Sequence, residues 1–325
     1  GHSCKTQIPW LQGQLSVSFD ITNHLSQKWK KVNYYDNFTY TGKLNFPVDF
    51  EYTFIFGDDR LQYSYSKSSD GKLEEEELIV NDKLIFCNKN SVLTLDGTEF
   101  PMDSAVKANL ANNANNVSII NFLLTSYPLS KEHYLLKLQK FVNSMLWFRS
   151  VEKNEFMGLA TAPANLDEYI IKNQLTLDFE EFILRVSGQH FEFQKPDEND
   201  KELYCKFDLG RIPFDKIAST GTQSLMLLYY WLKQMADASF VFIDEFDAFY
   251  HFRLSYEVCK TLFALPCQAF TSSHNTYLMT NDLLRPDCNF ILQDNKIKAL
   301  SECTQKELRF GHNIEKMFRG NAFEV

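Results

Sequence analysis

Two adjacent carboxylates, Asp244 and Glu245, directly follow an apolar run and are the residues of this chain best suited to chemistry. The run Val241 to Ile243 is short and continuously apolar, which is typical of a strand covered on both faces in a parallel sheet. Ligands of such sheets bind outside the carboxyl ends of the strands. An Asp there can hold Mg²⁺, and the next carboxylate can polarise a water aimed at a terminal phosphate. We therefore expect Asp244 to be a metal ligand and Glu245 to be a general base.

The segment before that strand predicts an anion site at the start of a helix. From Ser219 onward, apolar residues recur at spacings of three and four, as on an amphipathic helix; they are Leu225, Leu228, Leu232 and Met235. Ser219 and Thr220 are good N-cap residues, and Gly221 leaves room for a ligand. Because helix starts attract anions, we expect Ser219, Gly221 and Thr222 to contact a phosphate. An ordinary capped helix is the alternative.

A histidine follows the next predicted strand. A helical stripe ends at Pro266, and Gln268 to Ser272 then resembles a strand. His274 comes just after it in a Ser-Ser-His-Asn turn, where an imidazole can bond a terminal phosphate or the attacking water. A satisfied structural histidine is the alternative. For Asp244 and Glu245 the alternative is a buried strand that simply surfaces into acidic residues.

These motifs, in this order, resemble those of a known family. The segments Ser219–Gln223, Phe242–His251 and Thr271–Asn275 look like the signature, the Walker B strand and the switch histidine of ABC/SMC-like ATPases of the RloA and bacterial abortive-infection type. The tail Phe310–Gly320 is also similar to the way that family ends. The resemblance implies an α/β fold with an ABC-type P-loop NTPase core, and ATP and Mg²⁺ as cofactors.

The resemblance also assigns roles by position. Ser219 and Gly221 would contact the γ-phosphate of ATP bound by a partner subunit, which implies a head-to-tail homodimer. Asp244 would bind Mg²⁺, Glu245 would orient the water, and His274 would contact the γ-phosphate.

The N-terminus departs from the family pattern. Where the family has a strand that leads into a phosphate loop ending in Gly-Lys-Ser or Gly-Lys-Thr, this chain begins Gly-His-Ser-Cys-Lys-Thr. Lys5 would then bind the phosphates, and Thr6 would bind both the nucleotide and Mg²⁺. Cys4 replaces the glycine that lets backbone N–H groups curl around a phosphate. Missing leading residues are the favoured explanation; a cloning remnant and a degenerate loop stay open.

The rest of the chain predicts three parts. Residues 1–101 are the N-terminal part of the core with an antiparallel meander. Val48 to Phe56 alternate in polarity as in a strand with one buried face, and turn signals follow at Gly57, Asp70-Gly71, Asn81-Asp82 and Asp96-Gly97. The acidic run Glu74 to Glu77 is interpreted as a solvated edge. Residues 102–188 are a helical lid insert, with a buried helix face that runs on to Met145 and Leu146. Residues 189–325 are the C-terminal ATPase core.

Composition limits the possible partners. The net charge of −9 argues against broad nucleic-acid binding, although a local patch could still bind it. The seven cysteines form no C-x-x-C pair, which is typical of reduced thiols and gives no support to a zinc site. The sequence shows neither a signal peptide nor a membrane span, so we expect a cytoplasmic protein.

Three functions fit these observations. The first is an ATPase that dimerises head to tail and serves as the ATPase or sensor subunit of an anti-phage system, with a separate toxin or nuclease as effector. The second is a nucleotide-gated scaffold that hydrolyses ATP weakly or not at all and regulates such an effector. The third is a nuclease, which we expect to be a separate chain because only about fifty residues follow His274.

Overall fold

The chain is described by a computed structural model and has a mixed α/β fold, as predicted. The described residues are 21, 25, 47–68, 70–114, 116–149, 156–158, 165–197, 200–293 and 296–324. The chain divides into two compact units, Gly1–Asn143 with Leu292–Lys296, and Ser144–Ile291 with Ile297–Val325. The predicted three-part division, with boundaries after residues 101 and 188, cuts the chain differently and stays a prediction.

The first unit contains a five-stranded antiparallel sheet in the order β1-β2-β3-β4-β5. The strands are β1 Val48–Phe56, β2 Asp59–Lys67, β3 Leu73–Val80, β4 Lys83–Lys89 and β5 Val92–Leu95. The predicted turns are present, with φ of +65° at Gly57 and of +50° and +62° at Asn81 and Asp82. Such left-handed pairs suit the twist of a hairpin. Val48 and Phe50 are buried, which confirms the alternation predicted for β1.

Three helices follow this sheet: α1 Ser104–Asn113, α2 Ile119–Ser126 and α3 Tyr134–Asn143. Asp103 caps α1 and Ser118 caps α2 through their side chains. The buried face of α3 contains Leu135, Leu138 and Val142.

The predicted continuation of this helix face to Met145 and Leu146 is wrong. The helix ends at Asn143, and both residues lie on the strand β6, Met145–Arg149. A short apolar run next to a helix does not reveal by periodicity whether it is helix or strand. Parallel pairing with a strand almost a hundred residues later decides it, because Leu146 aligns with Val241.

The predicted solvated edge at Glu74 to Glu77 is also wrong, because these residues lie on β3, the central strand of the first sheet. Glu76 is 1% exposed. Its Oε1 accepts hydrogen bonds from the hydroxyls of Tyr63, at 2.8 Å, and Ser118, at 2.7 Å. Its Oε2 accepts from the N–H of Ile119 at 2.6 Å. The carboxylate therefore supplies acceptors to the start of α2, whose first N–H groups have no partner within the helix.

The second unit contains a four-stranded sheet in the order β11-β10-β6-β7. After β6 come β7 Phe156–Gly158, β8 Tyr204–Phe207, β9 Gly210–Pro213, β10 Phe240–Asp244 and β11 Gln268–Thr271. The strands β12 Phe290–Gln293 and β13 Lys296–Ala299 form a separate two-stranded sheet, parts of which are assigned to each unit. β10 pairs in parallel with both β6 and β11. Val241, Phe242 and Ile243 are buried, which confirms the predicted strand of a parallel sheet.

The described residues of this unit form six further helices. They are α4 Leu166–Lys172, α5 Thr176–Ser187, α6 Phe214–Ile217, α7 Thr220–Gln234, α8 Phe252–Phe263 and α9 Ile314–Arg319, with single 3₁₀ turns at Met235–Asp237, Thr276–Leu278, Pro286–Cys288 and Leu300–Glu302. α7 buries Leu225, Tyr229 and Trp231 in one core with Phe179 of α5 and Val241 of β10. Each such side chain contributes about 1.5–3 kcal/mol on burial, so this core fixes α7 relative to β10.

Candidate active site

Asp244 is the last residue of β10 and is only 3% exposed. Its Oδ1 accepts a hydrogen bond from the hydroxyl of Ser272 at 2.5 Å. Burial of a carboxylate is costly unless hydrogen bonds or opposite charges compensate for it. The structure therefore places Asp244 at the carboxyl edge of a parallel sheet, as predicted, in an orientation that the neighbouring strand helps to fix.

Glu245 follows with a different backbone and a more open side chain. Its φ is +45°, in the left-handed region that non-glycine residues seldom adopt. The Glu245 side chain is 29% exposed, and its Oε1 lies 3.5 Å from the Nε2 of His274, whose side chain is 89% exposed. The structure thus brings the two predicted catalytic side chains together at one edge of the sheet.

The two serines before His274 were not predicted as site residues. Ser272 bonds Asp244 as described above, and the hydroxyl of Ser273 donates to Oδ2 of Asp247 at 2.7 Å. The sequence signal for both was a pair of hydroxyl residues at the end of the strand that follows an Asp-Glu strand. Neighbouring parallel strands bring such residues to the same edge.

The predicted phosphate-contacting helix start is α7. Ser219, one of the two predicted N-cap residues, is its N-cap, and the Oγ of Ser219 accepts from the N–H of Thr222 at 3.2 Å. Ser219 is exposed, whereas Thr222 is 2% exposed. The Thr222 hydroxyl donates to Oε1 of Gln189 at 2.8 Å. The side chain of Thr222 therefore stabilises the helix start from inside, and the phosphate contacts of Ser219 and Thr222 stay predictions.

Packing within the chain itself explains why a glycine occupies position 221. A Cβ at this position would lie 3.0 Å from the backbone carbonyl oxygen of Phe249, in the turn after β10. Real Cβ atoms rarely come so close to a backbone atom. Gly221 thus lets the start of α7 lie directly against the loop that follows Asp244 and Glu245, and its predicted contact with a phosphate stays a prediction.

Lys5 and Thr6, the predicted phosphate-loop residues, lie outside the described residues. Within the described part of the chain, no group of three or more His, Cys, Asp or Glu residues could hold a metal ion. Mg²⁺ does not need such a group, because it is commonly bound by one or two carboxylates together with water and substrate phosphates. A buried aspartate fixed by a hydroxyl, such as Asp244, supplies one hard oxygen ligand of that kind.

A family match gives the class of protein to which this fold belongs, the nucleotide-binding ATPase domains of the AAA and ABC-like type. Residues 43–280 match the family described as "AAA domain, putative AbiEii toxin, Type IV TA system". The chain belongs to this family, which confirms the predicted membership of the ABC/SMC-like ATPases. Lys5 and Thr6 precede the matched region. No curated protein sequence matches the chain.

Two solved structures of SMC heads are similar to this chain at low identity. The SMC head domain from Thermotoga maritima is 12% identical, with a TM-score of 0.37 over 83% of this chain and 80% of that chain. The structure titled "Crystal structure of the SmcHead bound to the C-winged helix domain of ScpA" is 12% identical, with a TM-score of 0.39 over 82% of this chain and 80% of that chain. The family match, and not these structures, establishes what the chain is. Among the helices within the described ranges, none is both long and apolar enough to cross a membrane.

Proposed function

We propose that this protein binds and hydrolyses ATP as a head-to-tail dimer. The observation that carries the proposal is the meeting of Asp244, Glu245 and His274 at the carboxyl edge of two neighbouring parallel strands. One of the carboxylates is buried and fixed, and the other is partly exposed beside an imidazole. Hydrolysis of a phosphoanhydride needs a held metal ion, an oriented water and a donor for the phosphate, and these three side chains match those tasks.

Each side chain has a separate part in this reaction. Asp244 would hold Mg²⁺, which supplies charge neutralisation at the phosphates when it is bound. Glu245 accepts a hydrogen bond from the attacking water and takes its proton. His274 donates a hydrogen bond to the terminal phosphate. The exposure of Glu245 and His274 supports these roles, because both groups must reach a substrate outside the sheet.

The dimer is proposed from the exposed start of α7. Ser219 and the first N–H groups of the helix would contact the γ-phosphate of ATP bound by the Lys5 side of the partner subunit. The positive end of the helix dipole favours an anion at this position. The resemblance of Ser219–Gln223 to an ABC signature supports the same arrangement.

We also propose a role in bacterial defence against phage. The family description names an AbiEii toxin and a type IV toxin–antitoxin system. This supports an ATPase or sensor subunit that controls a separate toxin or nuclease. We place this subunit in the cytoplasm, as the sequence predicts. The alternative is a nucleotide-gated scaffold that hydrolyses little ATP and controls such an effector through ATP binding alone.

Replacement of the general base tests the proposal. Glu245→Gln should retain ATP binding and lower ATP turnover by about 100-fold or more, because a positioned base contributes about that much. Glu302→Gln, an exposed glutamate elsewhere in the same unit, is the matched control and should keep the parent's turnover. Equal turnover in Glu245→Gln and the parent would remove Glu245 from the mechanism. ATP binding without turnover in the parent itself would favour the scaffold.

A further inference from the structure

We propose that Ser272 is a positioning residue that sets the geometry of both carboxylates at this edge; the catalytic part of this inference rests on the proposed function. Ser272 is the first residue after β11 and is 7% exposed. It has no place among the site residues that sequence motifs predict. Its contacts nevertheless join the ends of two parallel strands at the point where the candidate chemistry takes place.

Ser272 bonds each of four consecutive residues at the end of β10. Its N–H donates to the carbonyl of Ile243 at 3.0 Å, which continues the parallel pairing of the strands. Its hydroxyl donates to Oδ1 of Asp244 at 2.5 Å and accepts from the N–H of Glu245 at 2.8 Å. Its carbonyl accepts from the N–H of Phe246 at 3.3 Å. One residue thus determines the path of the chain through both carboxylates.

The direction of the hydroxyl bonds is unambiguous. A serine hydroxyl has one proton and two lone pairs. The N–H of Glu245 can only donate, so the hydroxyl accepts from it and directs its proton to Asp244. Both bonds disappear if the hydroxyl is removed, and both remain in a threonine.

The backbone of Glu245 explains why such a clamp is needed. Its φ of +45° is unfavourable for a residue with a side chain. Conformations of this kind persist only where surrounding contacts fix them, and they concentrate at functional sites. The bonds from Ser272 to Glu245 and Phe246 fix this turn, and the turn places the Glu245 carboxylate 3.5 Å from His274.

The neighbouring serine provides a matched control. Ser273 bonds the side chain of Asp247 and the N–H of Asn275, and neither bond reaches Asp244 or Glu245. Loss of its hydroxyl removes two hydrogen bonds at the same edge and should leave the two carboxylates in place. A comparison of Ser272→Ala with Ser273→Ala therefore separates positioning of the carboxylates from general loosening of the loop.

The test uses Ser272→Ala, Ser272→Thr and Ser273→Ala in the full chain. The first measurement is amide hydrogen exchange of Glu245 in the absence of nucleotide, which does not depend on any activity. Exchange should be about tenfold faster or more in Ser272→Ala, because its hydroxyl acceptor is lost. It should return to the parent's rate in Ser272→Thr and stay within about twofold of it in Ser273→Ala.

The second measurement is ATP turnover as a function of Mg²⁺ concentration, together with the melting temperature. In Ser272→Ala we expect kcat to fall about tenfold and the Mg²⁺ concentration for half-maximal turnover to rise, with recovery in Ser272→Thr. Equal exchange at Glu245 in Ser272→Ala and the parent overturns the proposal, and so does a loss of turnover that Ser272→Thr fails to restore. If Ser272→Ala does not fold, Ser272→Cys replaces it, since it keeps the approximate size with a weaker donor. A parent without ATP turnover would defeat the proposed function, while the exchange measurement would still decide the role of Ser272.

Discussion

The imidazole Nε2 of His274 lies 3.5 Å from Oε1 of Glu245, although the two residues follow different strands. The register of the sheet explains this contact. Thr271, at the end of β11, is opposite Ile243 of β10, so the two segments that follow these strands leave the sheet at the same level. A candidate base and a candidate phosphate donor therefore occupy one edge.

Replacement of His274 tests whether this contact serves catalysis. His274→Ala should lower ATP turnover about tenfold or more, because the proposed hydrogen bond from His274 to the charged terminal phosphate is lost. The melting temperature should not change, since the side chain is 89% exposed. Steady-state phosphate release and thermal unfolding are the measurements, with His190→Ala, an exposed histidine of the same unit, as control. Full turnover in His274→Ala would assign His274 a role outside the reaction.

Gly221→Ala should destabilise the protein. The new Cβ would meet the carbonyl oxygen of Phe249 at 3.0 Å, and overpacking of this kind costs about 1–3 kcal/mol. Removal of a glycine from a helix returns at most about 1 kcal/mol, so the overpacking decides the sign. Gly311→Ala is the control, because a Cβ there meets nothing within 4 Å. Denaturant unfolding checks this, and equal midpoints in both variants would contradict the close contact.

Assembly is tested at Ser219, the exposed N-cap of α7. With ATP, Glu245→Gln should shift the protein from monomer to dimer, because hydrolysis no longer opens the composite site. Addition of Ser219→Arg should abolish this shift, since a long cationic side chain would fill the contact. Ser301→Arg, at an exposed serine elsewhere, should not affect it. Size-exclusion chromatography with light scattering gives the mass, and a mass independent of nucleotide in all variants would exclude the composite site.

Glu76→Gln should destabilise the first unit. The Glu76 carboxylate accepts hydrogen bonds from two hydroxyls and from N–H groups at the start of α2. A glutamine side chain would place its NH₂ group, which can only donate, against one of these donors. An unsatisfied buried group costs about 1–3 kcal/mol. Glu74→Gln, exposed on the same strand, should change the free energy of unfolding by less than about 0.5 kcal/mol. Similar effects of the two substitutions in denaturant unfolding would show that Glu76 is not buried.

Thiol labelling tests the core around α8. Burial, with a smaller contribution from the charge of Asp247, raises the pKa of Cys259 to about 12. Because the thiolate is the reactive form, Cys259 should resist alkylation at pH 8, whereas the exposed Cys288 should react readily. The raised pKa stabilises the fold below the ordinary thiol pKa, and this contribution is lost as the pH rises towards 12. Mass spectrometry of labelled peptides gives the order, and early labelling of Cys259 would contradict its burial.

Local pattern was sufficient for several elements of this protein. The alternation in β1 and the turn at Asn81 and Asp82 were predicted from neighbouring residues, as were Ser219 and Thr220 as N-cap candidates. The structure confirms the alternation and the turn, and it selects Ser219 as the cap. Such features depend on side chains a few positions apart, whose chemistry is visible in one stretch of sequence. The apolar run that ends at Asp244 is of the same kind.

Contacts between distant segments could not be predicted in this way. The hydrogen-bond partners of Glu76 lie on β2 and at the start of α2, far from it in sequence. From the sequence alone, its charge therefore predicted an exposed side chain. Met145 and Leu146 extend a helical stripe in sequence, and only pairing with β10 makes them a strand.

The sequence by itself determined the family and the order of its motifs, because a strand, a turn and a helix cap are each specified by consecutive residues. The tertiary structure alone decided how the carboxylates are held. Ser272 reaches Asp244 and Glu245 because parallel pairing brings the ends of β10 and β11 to one level, and the bonds of Ser272 fix the left-handed backbone of Glu245. Hydrogen bonds between strand ends depend on sheet register, and register is a property of the folded chain rather than of any segment.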